Sequence, residues 1–353
     1  MSNSKKINVL IVKLASIGDV LASSSLPRAI KESNPNVNLL HLVMRNCSFV
    51  TDNNPFIDEQ CIIEFIPSGS RFIDLIRIFK VLLMLRRKNI DIAFIMHRNI
   101  IFQVICKFAG IKKIYGYTSR FNPFYTKHIK YSFDVNRTLQ DCELIRVGGV
   151  DIEYPQTLDY FPKILELQPS LNQLVPEVFV ACNPGGGNAH SPADNRMWPI
   201  EYYAELINRS ALPFVVLGYG PSDEKRATRL SELVKSGRMI NLVGKTTFSE
   251  TALILGRASV YVGNDSSLMF LAAAMRTKTL GLYGPTQAVA ANPIGKQQYA
   301  IRSDAPCAPC YNPYQGIKGS MYTCKNNLCM QIISVDTVLN KMNELIDIKA
   351  VLE

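Results

Sequence analysis

An aspartate set directly after a buried strand is a carboxylate in position to move protons, and KLASIGDVLASSSLPRAI (13–30) offers one at Asp19. Gly18 permits a tight turn out of the apolar run INVLIV (7–12), and Asp19 then opens a helix at the strand's carboxyl end. Two readings follow. Asp19 is a helix-capping acid that answers the macrodipole, or it is a general base lodged in a cleft between domains. Further along, NPGGG (183–187) leaves a strand with bare backbone amides at Gly185 and Gly186 that could approach a phosphate, and Arg196 could neutralise it. After VGND (262–265) a helix begins whose free amides, with the hydroxyls of Ser266 and Ser267, suit a diphosphate. Gly284 and Thr286 of GPT (284–286) close the next strand, and Asp223 and Glu224, after GYG (218–220), are placed to accept from ribose hydroxyls. Each loop alone is an ordinary turn; four at successive strand ends favour a bound nucleotide.

A third set of residues has metal-ligand spacing. Of the nine cysteines, Cys307, Cys310, Cys324 and Cys329 cluster with gaps of 2, 13 and 4 residues, in a stretch rich in Pro, Gly, Asn and Tyr. Four thiolates at that spacing are expected to hold a structural Zn, or Fe, with disulfides or a metal-free loop as the other outcomes. Cys47, Cys61, Cys106, Cys142 and Cys182 are scattered and read as buried small hydrophobes. Two nucleotide motifs fail. No G-x-G-x-x-G follows the first strand, and GKTT (244–247) has Met239 where a P-loop needs its first Gly.

The elements that must carry these residues alternate. Apolar runs at 7–12, 38–44, 61–66 and 91–96 read as strands, with helical spacing from Asp19 to about Glu32 and over 71–89. The pattern restarts at 178–187, 213–220, 259–263 and 279–284. Strands alternating with helices imply doubly wound parallel sheets, so the chain is expected to be α/β with two Rossmann-like domains. The expected divisions are 1–165, a polar linker at 166–177, and 178–333 with a four-cysteine loop at 305–330, followed by a terminal helical segment at 334–353. A hydrophobic content of 47% with 19% charged residues excludes a disordered or fibrous chain. The N-terminal apolar core is too short for a secretion signal, so a cytoplasmic location is expected. The formal net charge is +10, and residues 71–137 hold 14 Lys and Arg against 3 acids. That local field points to an anionic partner or an acidic membrane face.

KLASIGDVL, NPFID (54–58), the His-Arg of DIAFIMHRN, IYGY (114–117), R-x-W-P (196–199), VGNDSSLMFLAAA and LYGPT together resemble glycosyltransferase family 9, the ADP-heptose:lipopolysaccharide heptosyltransferases. The resemblance implies the GT-B fold, two Rossmann-like domains facing a central cleft, with the acceptor on the first and the donor on the second. It implies Asp19 as the base of an inverting transfer, Arg196 where the family usually has Lys, Asp223 at the ribose with Glu224 as the alternative, and Asp265, Ser266 and Ser267 at phosphate and sugar. Gly18, Arg98 and Arg120 are then the expected acceptor-binding residues. Ser267 replaces the family's Gly, and Phe270 its usual His, which removes a donor near the sugar. The leaving diphosphate would be stabilised by Arg196 and the helix end at Ser266 in place of a catalytic metal. The expected partners are a nucleotide-sugar, a phosphorylated lipopolysaccharide or lipooligosaccharide core acceptor, and the inner face of the membrane, with no nucleic acid. A protein-directed heptosyltransferase, an inactive family member and a single-strand nucleic-acid binder using residues 71–137 are the alternatives.

Overall fold

The computed structural model describes residues 6–64, 70–97, 100–118, 122–186, 194–311 and 320–347. Two compact units make up the chain, Met1–Phe161 and Pro162–Glu353. The first holds β1 (Ile7–Val12), β2 (Val37–Met44), β3 (Glu59–Ile63), β4 (Ile92–Ile95), β5 (Lys113–Tyr117) and β6 (Lys127–Ile129). They lie in the order β3-β2-β1-β4-β5-β6, every pairing parallel. β1 is apolar throughout its centre because it is covered on both faces. Leu10 and Val12 enter one core, and Val9 and Ile11 enter the other.

The second unit repeats the plan with β7 (Val180–Asn183), β8 (Phe214–Val216), β9 (Met239–Asn241), β10 (Val260–Asn264), β11 (Thr279–Tyr283) and β12 (Gln298–Arg302). Their order is β12-β11-β10-β7-β8-β9, again all parallel. Both sheets therefore have the doubly wound order in which the chain's direction of winding reverses beside the first strand, between β1 and β4 and between β7 and β10. The expected pair of Rossmann-like units is present.

One local expectation needs correction. The helical stretch from Asp19 to Glu32 is two helices, Ile17–Ala22 and Leu26–Ser33. Pro27 cannot continue a helix from the preceding turn, and the serines between them turn inward. Ser23 Oγ donates to Asp141 Oδ2 at 2.8 Å, and Ser24 Oγ accepts the Asp159 N–H at 3.0 Å. The segment 166–177 lies inside the second unit, where one turn, Pro169–Asn172, is tied down by Arg257 donating to Asn172 Oδ1 at 2.6 Å. The final helix, Val335–Ile346, is capped by Ser334 and sends Val338 and Met342 into the second core. The helix Arg71–Arg86 buries only Val81 and Leu85 fully, although it is apolar all round. Among the described residues no helix is long and apolar enough to cross a membrane.

Candidate functional site

Asp19 leaves β1 beside the point where the strand order reverses, the place where open parallel sheets bind ligands. It is the third residue of the helix Ile17–Ala22, and its Oδ2 accepts from the Ser16 N–H at 3.1 Å and the Ser16 hydroxyl at 3.2 Å. That is the capping-box contact. Its other oxygen, Oδ1, accepts from Arg137 Nη1 at 2.9 Å. The side chain remains 42% exposed, a carboxylate recessed among its neighbours but open to water. Burial pushes its pKa up, but Arg137, Lys13 and the Ser16 hydrogen bonds outweigh this and hold it below the ordinary carboxylate value. Asp19 is thus ionised at neutral pH, as a base must be before it accepts a proton.

Beneath it lies a charge pair that the local sequence pattern gave little reason to expect. Lys13 donates to Asp141 Oδ2 at 2.8 Å, and both side chains are almost wholly buried. Asp141 also accepts from Ser23 Oγ at 2.8 Å and from Tyr117 OH at 2.7 Å. Three donors on one buried carboxylate make a satisfied network, which is what a buried charge requires. The one sequence signal was a lysine ending a six-residue apolar strand. Gly18 is buried in the Asp19 turn. Arg98 and Arg120 lie outside the described residues.

In the second unit the reversal between β7 and β10 gathers the proposed donor residues. Asn264, at the end of β10, donates to the carbonyls of Pro184 and Gly185 at 3.2 and 2.9 Å and accepts the Trp198 N–H at 2.9 Å. One amide so joins the NPGG turn to the Arg-x-Trp-Pro segment. Trp198 is fully buried, which anchors the short helix Asp194–Arg196 and places the Arg196 guanidinium 3.2 Å from Asp265 Oδ2. Arg226 donates to the carbonyls of Pro184 and Trp198 at 2.8 and 2.9 Å, a bracing role no motif announced. Ser266 caps the buried helix Ser267–Ala274, and its neighbour Phe270 is core.

Asp223 is used by the protein itself. Its carboxylate accepts from Asn183 Nδ2, from the Gly186 N–H and from the Tyr219 N–H at 3.2, 3.1 and 3.0 Å. A Cβ on Gly185 would meet Asp223 Oδ1 at 2.0 Å, so the close approach of that side chain requires a glycine there. Glu224 is exposed. Three buried polar atoms at this end of the sheet have no hydrogen-bond partner among the described residues: Asn183 Oδ1, Arg196 Nε and Thr286 Oγ1. Unpaired buried polar atoms are rare in folded proteins, so these three mark this end of the sheet as a candidate site for a polar ligand.

The cysteine segment packs against the same loops. The backbone N–H groups of Cys310 and Tyr311 donate to the Pro285 carbonyl at 2.9 and 2.8 Å. Asn195 Nδ2 donates to the carbonyls of Met321 and Cys324 at 2.6 and 3.1 Å, and Asn327 donates to Met197 O at 3.2 Å. A Cβ on Gly284 would meet Met330 Sδ at 2.5 Å and Cys329 Sγ at 2.8 Å. All four cysteines are free thiols. Burial first, then the neighbouring thiols, push Cys329 up to about 11, and the same causes raise Cys310. The sulfurs therefore feel one another. Even so, among the described residues no three His, Cys, Asp or Glu side chains are close enough to share a metal ion. The expected four-thiolate ligand set is not assembled in this structure, and residues 312–319, which join its halves, are outside the described chain.

This chain is similar to known proteins in sequence and in fold. The lipooligosaccharide heptosyltransferase 2 of Campylobacter jejuni is 22% identical over 280 residues, covering 76% of this chain and 79% of its own. The solved ADP-heptose lipopolysaccharide heptosyltransferase II of E. coli superposes with a TM-score of 0.71 at 19% identity, over 98% of this chain and 100% of that one. The iron-containing dodecameric glycosyltransferase TibC from enterotoxigenic E. coli aligns with 98% of this chain and 77% of its own, with a TM-score of 0.57 and 10% identity. These likenesses establish a common GT-B fold. The family description "glycosyltransferase family 9 (heptosyltransferase)" matches residues 78–318, more than half the sequence, and the chain belongs to that family.

Proposed function

We propose that this enzyme transfers heptose from ADP-heptose, with inversion, to a phosphorylated lipopolysaccharide or lipooligosaccharide core. The observation that carries the donor side is the Arg196–Asp265 pair at the start of the helix Ser267–Ala274, beside the partnerless Asn183 Oδ1 and Thr286 Oγ1. Arg196 and the helix amides suit the charge that develops on a departing diphosphate. Gly186, Ser266, Ser267 and Gly284 shape the backbone around it. Asp223 takes the ribose, with the exposed Glu224 beside it as the alternative; three internal bonds leave the Asp223 carboxylate an open acceptor site. The names of the Campylobacter and E. coli relatives support heptose, ADP and the lipid-linked core. Asp19 removes the proton from the acceptor hydroxyl, and Gly18, Arg98 and Arg120 serve the acceptor.

The test is a thermal-shift panel of ADP-, UDP-, GDP- and CMP-sugars, checked by calorimetry. A ligand at about 100 times its Kd adds about 2.7 kcal/mol of stability, and ADP-heptose is expected to be the one that does so. Arg196→Ala is expected to weaken ADP-heptose binding or turnover by roughly 10²-fold, the scale of one lost charge-stabilising donor. Unchanged affinity together with unchanged kcat would place the donor elsewhere.

The four cysteines are proposed to hold one structural iron or zinc ion. Their donor chemistry fits such an ion, although the four sulfurs are not gathered round one point in this structure, and the TibC neighbour is iron-containing. With all four positions filled by thiolate the ion would order the segment and take no part in transfer. Elemental analysis of protein purified without chelator is expected to give about one metal per chain, lost in Cys307→Ser. Less than about a tenth of an equivalent would reject the ion.

A further inference from the structure

We infer that the outer face of the helix Arg71–Arg86 docks on an anionic lipid bilayer surface. The inference extends the reading of a lipid-borne acceptor and is tested without it. Six large apolar side chains of this one helix face solvent, with Phe72 72%, Leu75 62% and Phe79 58% exposed, and Ile73, Ile76 and Leu83 also exposed. No other helix exposes as many among the described residues. At about 100° per residue, Phe72, Ile76, Phe79 and Leu83 fall in a stripe roughly 60° wide. Val81 and Leu85, the buried pair, lie on the opposite side. One face therefore anchors the helix to its own domain, and a second apolar face is left over. A helix apolar all round needs an apolar environment on both sides.

The charges say which environment. Lys80, Arg86 and Arg87 flank the stripe and are exposed, and none has an acidic partner among the described residues. A shallow open hollow beside them is lined by Lys80, Leu83, Met84, Arg87 and Lys88, apolar stems with cationic tips. The only acid from residue 71 to residue 90 is Asp74, which pairs with Arg77 at 3.7 Å. A second copy of this face would bring the same sign of charge, its nearby acids Asp74 and Glu59 being already paired with Arg77 and Lys88. Lipid headgroups bring the opposite sign and acyl chains for the stripe. With 16 residues, the helix is too short to span a bilayer and suited to lie in its interface.

The experiment is co-sedimentation of the full chain with vesicles containing about 30% anionic phospholipid, and with wholly zwitterionic vesicles. The chain is expected to bind the anionic vesicles, and Phe72→Ser/Ile76→Ser/Phe79→Ser to lower that partition by roughly tenfold or more. These side chains are exposed, so the variant is expected to keep its circular dichroism and thermal midpoint. Arg86→Glu/Arg87→Glu is expected to lose the preference for anionic over zwitterionic vesicles. Absence of binding by the parent chain overturns the inference. So does a triple variant that binds as well as the parent, and so does a triple variant whose only change is a smaller oligomer on size exclusion, which would assign the face to self-association. Vesicle binding in a chain that does not bind ADP-heptose would leave the docking standing while the donor reading fell.

Discussion

Asp19→Asn is expected to lower kcat by roughly 10²–10⁴-fold, the usual contribution of a positioned general base. Asn keeps the size and can still accept from Ser16, so the helix start should survive and ADP-heptose affinity should change only a few-fold. Burst-free steady-state kinetics with calorimetry of donor binding separate the two quantities. A variant that retains most of its kcat would return Asp19 to a purely structural role at the helix end. The pH profile supplies an independent check. Because Arg137 and Lys13 hold the Asp19 pKa below its ordinary value against the opposing effect of burial, the base form persists through mildly acid pH. Activity should fall only as pH drops through that lowered value. The stability due to Asp19 follows the same sign: present above the unfolded-state pKa, and lost as pH falls through the folded one. Arg137→Ala removes one of the two cations, and should move the acid limb of kcat to higher pH while leaving a functional base.

Asp141→Asn is expected to have the largest effect on stability. The substitution leaves the Lys13 ammonium buried without its counter-charge, and breaking a buried pair costs about 3–5 kcal/mol. In a unit of this size, at roughly 2–4 °C per kcal/mol, Tm should fall by on the order of 10 °C. Lys13→Met/Asp141→Leu is expected to recover a large part of the loss, because two apolar groups need no compensation. A double-mutant cycle on Tm and denaturant midpoint reads the coupling. A fall of less than about 1 kcal/mol in Asp141→Asn would show that Ser23 and Tyr117 suffice to solvate the ammonium's site.

Most of the inner strands were legible because they are buried on both faces and so read as unbroken apolar runs; β5, which opens on Lys113 and contains Gly116, was not. β6, β9 and β12 were not, since edge strands are only partly covered and carry Lys, Asn, Gln and Arg. The same contrast holds for the candidate site. Asp19, Arg196, Asp265 and Ser266 could be named from short motifs, because a turn, a helix end and a strand exit are local structures. Arg137 and Asp141 could not, because they reach Asp19 and Lys13 across more than 100 residues of sequence. Asp223 shows motif reading from the other side, where a position was legible and its internal partners were not. Its position after a Gly-rich turn suggested a ribose ligand, while its oxygens also accept from Asn183, Gly186 and Tyr219. Only the packing of β7 against β8 brings those donors together.

The hydrogen bonds from Asn195 to Met321 and Cys324, and from Cys310 and Tyr311 to Pro285, have a kinetic consequence. Thiol chemistry at this segment would be transmitted to the backbone that carries Arg196 and Thr286. An alkylating or chelating inhibitor aimed at the exposed Cys307 would therefore raise KM for the nucleotide-sugar while leaving KM for the glycolipid nearly constant. Saturating donor would protect the thiols in return, since whatever the segment does to donor affinity the donor must do to the segment. Protection of Cys307 from alkylation by ADP-heptose is thus a binding assay that needs no acceptor and no turnover.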